Sequence, residues 1–300
     1  MQPTKLIWMN GKLTDWQQAN VHVLTHALHY GSGAFEGIRV YKTPDGPAVF
    51  RLKEHIERLY YSSSVLSLNI PFKKEELCKG VVDLLRENGL EQGYIRPLAF
   101  FGYGVMGLNP RGGETNVIIA CWPWGAYLPH DSINIKISKY IRIHPQSTVA
   151  DAKLCGHYVN SIMAALEVRG TQYHEALFLD YKGEVAEGPG ENFFMIKGNE
   201  LITPPLGAIL AGITRDTVMQ IAQASGYKVT ERPIKAEEIY TADEAFFTGT
   251  AAEVTPIGSI NDKPLGAGGV GPISGKIKQA YLDVVYGKNP EYKHMLTYVS

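Results

Sequence analysis

Asp151-Ala-Lys-Leu-Cys-Gly-His-Tyr-Val-Asn-Ser161 places one lysine among small residues just before a predicted helix. A lysine is usually a solvated surface charge, so Lys153 on its own indicates little. Tyr158 follows closely, however, and the segment Glu187-Gly-Pro-Gly-Glu-Asn192 adds carboxylates in a glycine loop. Lysine acts chemically as a Schiff-base amine, and pyridoxal phosphate is the cofactor whose ring nitrogen then needs an acidic partner. The stretch therefore indicates a catalytic lysine, with Glu187 as the candidate acid.

Composition limits the class of protein. The chain has 300 residues, of which 45% are apolar, enough to bury the core of one large or two medium domains. Its net charge is -1, without the basic stripe that nucleic acids require, so nucleic acid is not an expected partner. No window approaches the roughly 20 apolar residues of a membrane span, and the N-terminal segment has no apolar run of signal-peptide length. We expect a cytoplasmic protein without a membrane partner.

The cysteines and histidines do not predict a metal site. Cys78, Cys121 and Cys155 are widely spaced and suggest neither a disulfide framework nor a zinc site. His22, His26 and His29 could share a helix face, but no acidic residue lies within their segment to complete a metal site. An extended start to that segment fits equally well, so no metal is expected.

The first half of the chain mixes strands and helices without regular alternation, which favours an α+β domain over a doubly wound sheet. Asn-Gly suits a type I′ hairpin turn, Pro-Asp-Gly a second turn, and Gly89 a helix C-cap. The predicted elements are hairpins turning at Asn10-Gly11 and Pro44-Asp45-Gly46, helices over 53–68 and 73–88, and strands over 94–101 and 116–122.

The second half begins after a segment rich in glycine, proline and polar residues, Trp124 to Ser132, which is the best candidate for a domain connection. Apolar periodicity then predicts a series of strands and helices. The predicted elements are a strand from Ile133, strands over 176–180, 193–196, 200–202 and 244–248, and helices over 161–169, 214–225 and 274–285.

A nicotinamide-dependent oxidoreductase is the competing class, because G-x-G-x-x-G occurs twice, beginning at Gly102 and Gly266. Such a motif binds a dinucleotide only between a strand and a helix. The first match continues into Leu-Asn-Pro instead of a helix. The second lies in a Pro-flanked loop before which no strand is predicted, so this class is disfavoured.

Three segments suit an anionic, phosphate-bearing cofactor. Gly212-Ile-Thr-Arg-Asp216 enters a helix whose first amides would face an anion, although Thr214 could also be only an N-cap. Arg58 offers a phosphate two parallel N–H groups, but an arginine on a helix surface is the alternative. Thr248-Gly-Thr-Ala-Ala-Glu253 ends an apolar strand with small residues and could bind either the phosphate or a substrate carboxylate.

These motifs, taken together, resemble the branched-chain amino acid aminotransferases of the fold-type IV pyridoxal phosphate class. The resemblance runs from about Met9 to Tyr281. It rests on eight motifs in the same order: His29–Arg39, His55–Leu59, Tyr94–Pro97, Pro123–Tyr127, Lys153–Ser161, Glu187–Asn192, Gly212–Asp216 and Gly249–Glu253.

The resemblance implies pyridoxal 5′-phosphate as cofactor and Lys153 as the residue that binds it covalently. Lys153 would then carry the proton between the substrate Cα and the cofactor C4′. Glu187 would hold the ring nitrogen protonated, Tyr158 would hydrogen-bond the phenolic oxygen, and Leu210 would pack on the ring. The phosphate would be held by Arg58, Ile213, Thr214 and Thr250.

On the substrate side, the resemblance implies a carboxylate site, an apolar pocket and a second site for the side-chain carboxylate of glutamate. The α-carboxylate would meet Tyr94, Thr250 and Ala251. The pocket would be lined by Tyr30, Phe35, Gly37, Trp124 and Tyr127. Arg96, with Tyr30 and Tyr127, would accept the glutamate side chain, while Met106 and Leu108 would come from a neighbouring subunit.

The resemblance and the composition together predict a small α/β domain over 1–124, an interdomain loop over 125–135 and a larger β-rich pseudo-barrel with helices over 136–300. The implied reaction is amino transfer between branched-chain L-amino acids and 2-oxoglutarate, giving L-glutamate. A D-amino acid aminotransferase, an (R)-amine transaminase and an aminodeoxychorismate lyase share the fold and stay open as alternatives. A homo-oligomer is implied, with a dimer as the minimal unit and a hexamer left open.

Overall fold

The computed structural model describes residues 2–125 and 127–299, and the described chain forms two compact units. One unit consists of residues 2–125, 152–157 and 284–299, and the other of residues 127–151 and 158–283. The segments 152–157 and 284–299 thus group with the amino-terminal half. The predicted domain boundaries stay a prediction; their ends Met1 and Ser300, and Ala126 of the predicted loop, lie outside the described residues.

The first unit is built on an eight-stranded sheet. Its strands are β1 (Leu6–Met9), β2 (Lys12–Asp15), β3 (Gly33–Phe35), β4 (Ile38–Thr43), β5 (Gly46–Phe50), β6 (Gly93–Phe101), β7 (Thr115–Trp122) and β16 (Leu296–Tyr298). They are ordered β16-β5-β4-β6-β7-β1-β2, with β3 paired to β6. All of the paired strands are antiparallel. Its helices are α1 (His26–Tyr30), α2 (Leu52–Val65) and α3 (Lys74–Asn88).

Helices α2 and α3 contribute their apolar faces to the core of this unit. Leu52, Ile56 and Leu59 recur at helical spacing on α2 and are fully buried, as are Leu77 and Leu84 of α3. Each such side chain contributes roughly 1.5–3 kcal/mol relative to an exposed position. The predicted type I′ turn is confirmed, since Asn10 and Gly11 have positive φ; so is the Gly89 cap, whose φ is 62°.

The second unit contains a mixed eight-stranded sheet. Its strands are β8 (Ile133–Ile141), β9 (Glu175–Leu179), β10 (Asn192–Lys197), β11 (Glu200–Thr203), β12 (Lys228–Glu231), β13 (Glu244–Gly249), β14 (Glu253–Ile260) and β15 (Lys263–Pro264). They are ordered β12-β11-β10-β13-β14-β8-β9, with β15 paired to β14. The pairs β11–β12, β14–β8 and β8–β9 are parallel. The helices are α4 (Tyr158–Val168), α5 (Ile213–Ala224) and α6 (Pro272–Val285), and the last two residues of α6 group with the first unit.

Both faces of the central strands of this second sheet are buried. Phe193 and Phe247 lie in one cluster with Ile135 and Ile257. Phe194 and Phe246 alternate with them along β10 and β13, and their rings are stacked 5.0 Å apart. Both faces of this sheet are therefore covered by other parts of the chain. The mixture of helices with antiparallel and mixed sheets confirms the predicted α+β class.

Strand β14 has no counterpart among the predicted elements. It holds Pro256, which lacks an amide hydrogen, and Gly258, and both residue types argue against a central strand. The structure accommodates them because the pairing of β14 with β8 shifts register between Ile257 and Ser259. The short strands β3, β12, β15 and β16 also lack counterparts among the predicted elements.

The expectation that no strand precedes the glycine motif at Gly266 is wrong. Strand β15 ends at Pro264, two positions before Gly266, and α6 begins at Pro272, directly after Gly271, so a strand and a helix do flank the loop. A dinucleotide-binding unit also needs a parallel strand after the helix. Here the strand after α6 is β16, which pairs antiparallel with β5 in the other sheet. No helix among the described residues is long and apolar enough to cross a membrane.

Candidate active site

Lys153 lies in the first unit, held by its backbone. Its amide donates to Oγ of Ser62 over 2.9 Å, and its carbonyl accepts from the amide of Phe35 over 3.1 Å. The next residue, Leu154, bridges to Ala34 in strand-like fashion. Residues of α2 and β3 thus both form hydrogen bonds with the backbone of this short segment. The fold therefore fixes the point from which the lysine side chain extends.

Four predicted substrate residues of this unit are joined by a series of contacts that begins at Lys153. Its Nζ lies 5.0 Å from the ring centroid of Phe35, and Cζ of Arg96 lies 4.7 Å from the same centroid. Arg96 is also 5.5 Å from the ring of Tyr94, which makes an edge contact of 4.5 Å with Trp124. The predicted apolar wall and the predicted carboxylate-binding arginine are thus brought together.

Gly37 is required by this packing. A Cβ at Gly37 would lie 1.9 Å from the hydroxyl of Tyr94, closer than any real contact allows. The buried ring of Tyr94 therefore lies against bare backbone. Within the described residues, the buried Nε of Arg96 has no hydrogen-bond partner. A buried cationic nitrogen of this kind fits a carboxylate-bearing ligand.

Arg58 contacts a carboxylate that was not among the predicted site residues. Its Nε and Nη2 donate to the two oxygens of Glu36 over 2.7 and 2.9 Å. Nδ1 of His55 donates to the same carboxylate over 2.7 Å. Burial raises the pKa of Glu36, but the charge and hydrogen bonds of Arg58, with those of His55, outweigh it and hold the pKa well below its ordinary value.

Glu187, in the second unit, is a buried carboxylate that accepts hydrogen bonds from an arginine, as Glu36 does in the first unit. Its Oε1 accepts from Nε of Arg142 over 2.6 Å. Its Oε2 accepts from Nδ2 of Asn192 over 3.0 Å and from the amide of Leu210 over 3.1 Å. Leu210 was predicted to pack on the cofactor ring, and the structure places it next to the predicted ring-nitrogen partner.

The start of α5 is suited to an anion. Gly212 is its N-cap and provides no side-chain cap, so the first-turn amides of a twelve-residue helix are not covered by their own capping residue. A Cβ at Gly212 would lie 1.9 Å from Oδ1 of Asn192. Asn192 also donates to the carbonyl of Leu210 over 2.9 Å. It therefore links Glu187, Leu210 and the entrance to α5, which carries Ile213 and Thr214.

The remaining predicted cofactor and carboxylate residues lie at element ends. Tyr158 is the first residue of α4. Thr250 and Ala251 form the turn between β13 and β14 and are half-buried. Thr248, just before that turn, pairs in register with Asn192, and its buried Oγ1 has no partner among the described residues. Small residues and an unsatisfied hydroxyl leave this turn able to receive a polar ligand group.

Four predicted substrate residues lie at the surface of the described chain. Tyr30 packs its ring against His26 and His29. Met106 and Leu108 lie between β6 and β7, and Leu108 is 88% exposed. Tyr127 is 41% exposed. Their roles stay predictions, and for Met106 and Leu108 the expected contribution is to a neighbouring subunit.

The residues present fit pyridoxal 5′-phosphate by the chemistry of their donors. A phosphate suits a guanidinium such as that of Arg58 in the first unit, and it equally suits a helix N-terminus without a side-chain cap, such as the one at Gly212 in the second unit. A pyridine nitrogen needs a fixed carboxylate, which Glu187 provides. An aldehyde needs a lysine amine, and Lys153 lies beside the ring of Phe35.

The chain is similar to known aminotransferases. The family model described as amino-transferase class IV matches residues 33–260. A branched-chain-amino-acid aminotransferase of Pseudomonas aeruginosa is 44% identical over 298 residues, 98% of this chain and 97% of that protein. One from Escherichia coli (strain K12) is 41% identical over 291 residues, 95% of this chain and 94% of that protein.

Solved structures are equally similar. A T.th. branched-chain amino acid aminotransferase complexed with N-(5′-phosphopyridoxyl)-L-glutamate is 44% identical, with a TM-score of 0.97 and coverage of 100% of both chains. The branched-chain aminotransferase from Thermoproteus uzoniensis with norvaline is 43% identical, with a TM-score of 0.96 and coverage of 99% of this chain and 100% of that one.

Proposed function

The chain belongs to the class IV aminotransferase family, of fold-type IV, and from this premise we propose that it is a pyridoxal 5′-phosphate-dependent branched-chain-amino-acid transaminase. It transfers the amino group of L-leucine, L-isoleucine or L-valine to 2-oxoglutarate, giving the branched-chain 2-oxo acid and L-glutamate. The observation that carries the substrate choice is that Lys153 and Arg96 both face the ring of Phe35. An amine for chemistry, an apolar wall and a carboxylate partner thus occur together.

Lys153 is the proposed catalytic residue. When bound, pyridoxal 5′-phosphate supplies an aldehyde that bonds to amines and a ring that stabilises negative charge at the substrate Cα. The amine of Lys153 anchors the cofactor, and once displaced by substrate it accepts the Cα proton. The backbone bonds to Ser62 and Phe35 keep the lysine segment in place during this exchange.

The cofactor-binding residues divide by the part of the molecule that they contact. Glu187 keeps a proton on the pyridine nitrogen, because Arg142 and Asn192 fix its carboxylate. Tyr158 hydrogen-bonds the phenolic oxygen, and Leu210 packs on the ring. The phosphate is held by Arg58, Ile213, Thr214 and Thr250.

Substrate recognition needs one pocket for both aliphatic and acidic side chains. Phe35, Gly37 and Trp124 supply apolar surface and exclude water from the Cα. Arg96 takes the side-chain carboxylate of glutamate, since its buried Nε has no protein partner among the described residues. Contacts to the α-carboxylate come from Tyr94, Thr250 and Ala251, and further pocket surface from Tyr30, Tyr127, Met106 and Leu108.

A homo-oligomer in the cytoplasm completes the proposal. Val23 and Leu108 are 74% and 88% exposed, and such exposed apolar side chains favour contact with a second copy. The thiols of Cys78, Cys121 and Cys155 are free, which suits a reducing compartment. Light scattering of the purified chain measures the oligomer.

The activity is tested by incubating the protein with 2-oxoglutarate and one amino donor, and measuring the 2-oxo acid or ketone that the donor yields. L-leucine, D-alanine and (R)-1-phenylethylamine separate the branched-chain activity from the D-amino acid and (R)-amine alternatives. We expect turnover with L-leucine. Turnover with only D-alanine or the (R)-amine contradicts the proposal.

A further inference from the structure

Glu36 is a carboxylate with no exposed surface that receives four N–H groups. Arg58 provides two, His55 one and the amide of Gly37 one, at 3.3 Å. Its own amide donates to the carbonyl of Pro97 over 2.9 Å. The side chain and the backbone of Glu36 are therefore both fixed between β3 and β4.

The charge state of this cluster is also fixed. Because the carboxylate of Glu36 accepts from Nδ1 of His55, that nitrogen carries the proton. Burial lowers the pKa of His55, against the opposing hydrogen bond and charge of Glu36, and so keeps the imidazole neutral. One negative charge on Glu36 thus balances one positive charge on Arg58.

The pairing also orients the guanidinium. Glu36 uses the edge formed by Nε and Nη2, so an anion must be contacted through the Nη1 side. His55 and Arg58 lie three residues apart on α2 and share a helix face, so the carboxylate ties both to one rigid element. A bidentate pair leaves the guanidinium plane little freedom to rotate.

Stability alone is a weak reason for such a cluster, because burying an ion pair often brings little net gain over apolar residues of similar volume. The cluster does, however, hold the guanidinium of Arg58 in one orientation. We infer that Glu36 is a positioning residue that acts through Arg58 to set the affinity for the phosphate group of the cofactor. This inference rests on the proposed function, in which Arg58 binds that phosphate.

The test compares two ligands that differ only in the phosphate. The full-length chain, freed of cofactor by dialysis, is titrated with pyridoxal 5′-phosphate and with pyridoxal, and binding is followed by absorbance. In the wild type we expect strong preference for the phosphorylated ligand. Glu36→Gln should reduce this preference about tenfold or more and change pyridoxal affinity less than about twofold, because only the phosphate contact is misplaced.

A double variant shows whether Glu36 acts through Arg58. Glu36→Gln combined with Arg58→Ala should have the same preference as Arg58→Ala alone, since no guanidinium remains to be positioned. Glu244→Gln is the matched control, because Glu244 is a buried carboxylate that accepts from the amides of Ile273 and Ser274. It should leave the preference unchanged.

The outcomes separate the two proposals. Equal loss of affinity for both ligands in Glu36→Gln overturns the positioning role and leaves the proposed function standing. A wild type that binds neither ligand, or shows no preference, overturns the proposed function itself. If Glu36→Gln does not fold, Glu36→Asp keeps the charge but shortens the reach, and an unchanged phosphate preference in that variant overturns the inference.

Discussion

Nε of Arg142 donates to Oε1 of Glu187 over 2.6 Å, and both side chains are buried. Removing one partner of such a pair leaves a buried charge unpaired. Glu187→Gln should therefore lower the free energy of unfolding by roughly 3 kcal/mol, measured by urea denaturation. It should also lower kcat with L-leucine by at least about 100-fold, because the ring nitrogen loses its anionic partner.

Glu244→Gln is the control that separates the loss of stability from the loss of kcat. Glu244 is buried in the same unit and accepts from two amides at the start of α6, but it has no proposed catalytic role. It should lose stability and keep kcat. A Glu187→Gln enzyme with kcat within about threefold of the wild type contradicts the role of Glu187.

Lys153→Ala should abolish turnover without unfolding the chain. The backbone of residue 153 makes the bonds to Ser62 and Phe35, and these bonds do not depend on the side chain. The variant should also lose the yellow absorbance of lysine-bound cofactor. Thermal melting and absorbance spectra measure both effects, and Lys12→Ala, on the exposed strand β2, serves as control.

Borohydride reduction of the wild type identifies the lysine directly. The reduced cofactor should be found by mass spectrometry on the peptide that contains Lys153. A label on any other lysine contradicts the assignment.

Some candidate site residues could be named from the sequence because their chemistry lies in short motifs. The residue types around Lys153 indicated its use directly, whereas Tyr94 and Gly37 were named through the resemblance of their motifs to a known family. The partners that fix the site were not predicted, because they are distant in sequence. Glu36 and Arg58 are separated by 22 positions, and Arg142 and Glu187 by 45. Which buried charges meet is decided by strand order, and no local pattern specifies it.

For the fold as well, elements with a local sequence signal could be predicted, and elements that depend on distant pairing could not. Helices α2, α3 and α5 were predicted to within a few residues because apolar spacing and glycine caps are local signals. Strand β14 was not predicted, because Pro256 and Gly258 are tolerated only through the local shift in its pairing with β8. Glu36 lies within a quoted motif, and its position beside Gly37 in an apolar segment was the one local signal of a buried carboxylate.

Gly37→Ala should disturb the substrate pocket. The new Cβ would lie 1.9 Å from Oη and 2.8 Å from Cζ of Tyr94, so the buried ring must move. Overpacking of this kind costs typically about 1–3 kcal/mol of stability, and we expect KM for L-leucine to rise about tenfold or more. Thermal melting and steady-state kinetics measure the two effects.

Two further variants test whether the clash between the new Cβ and Tyr94 causes the changes in KM and stability. Gly269→Ala is the control, because a Cβ there meets no atom within 4 Å. Gly37→Ala combined with Tyr94→Phe removes the closest clashing atom and should regain part of the lost stability. If Gly37→Ala matches Gly269→Ala in both KM and stability, Gly37 does not shape the pocket.

Glu175 should make stability depend on pH. Burial raises the pKa of Glu175 to about 7, against the hydrogen bond from the amide of Ala176, so the folded chain holds this proton more tightly than the unfolded chain. The stabilising contribution is complete below the unfolded pKa, near 4.5, and is lost as pH rises through about 7. Between pH 5 and pH 8 the loss is roughly 2–3 kcal/mol.

Glu175→Gln should remove that part of the pH dependence, measured as the free energy of unfolding in urea at pH 5 and pH 8. The variant should gain stability relative to the wild type as pH rises. Glu237→Gln, which changes an exposed glutamate, should not. Parallel pH dependence in Glu175→Gln and the wild type contradicts the expectation.

Ser62 and Ser63 provide a matched pair on α2. Both are buried, but Oγ of Ser62 accepts the amide of Lys153, whereas Oγ of Ser63 has no hydrogen-bond partner among the described residues. Ser62→Ala leaves a backbone amide unsatisfied and should cost about 1–3 kcal/mol. Because that amide belongs to the proposed catalytic lysine, kcat should also fall severalfold.

Ser63→Ala removes a hydroxyl that is desolvated without compensation, so it should be neutral or stabilise the protein by up to about 1 kcal/mol. Its kcat should equal that of the wild type, since Ser63 does not contact the lysine segment through its hydroxyl. Urea denaturation and kinetics on both variants decide the matter. If the two substitutions have equal effects on kcat, the bond from Lys153 to Ser62 does not position the catalytic amine.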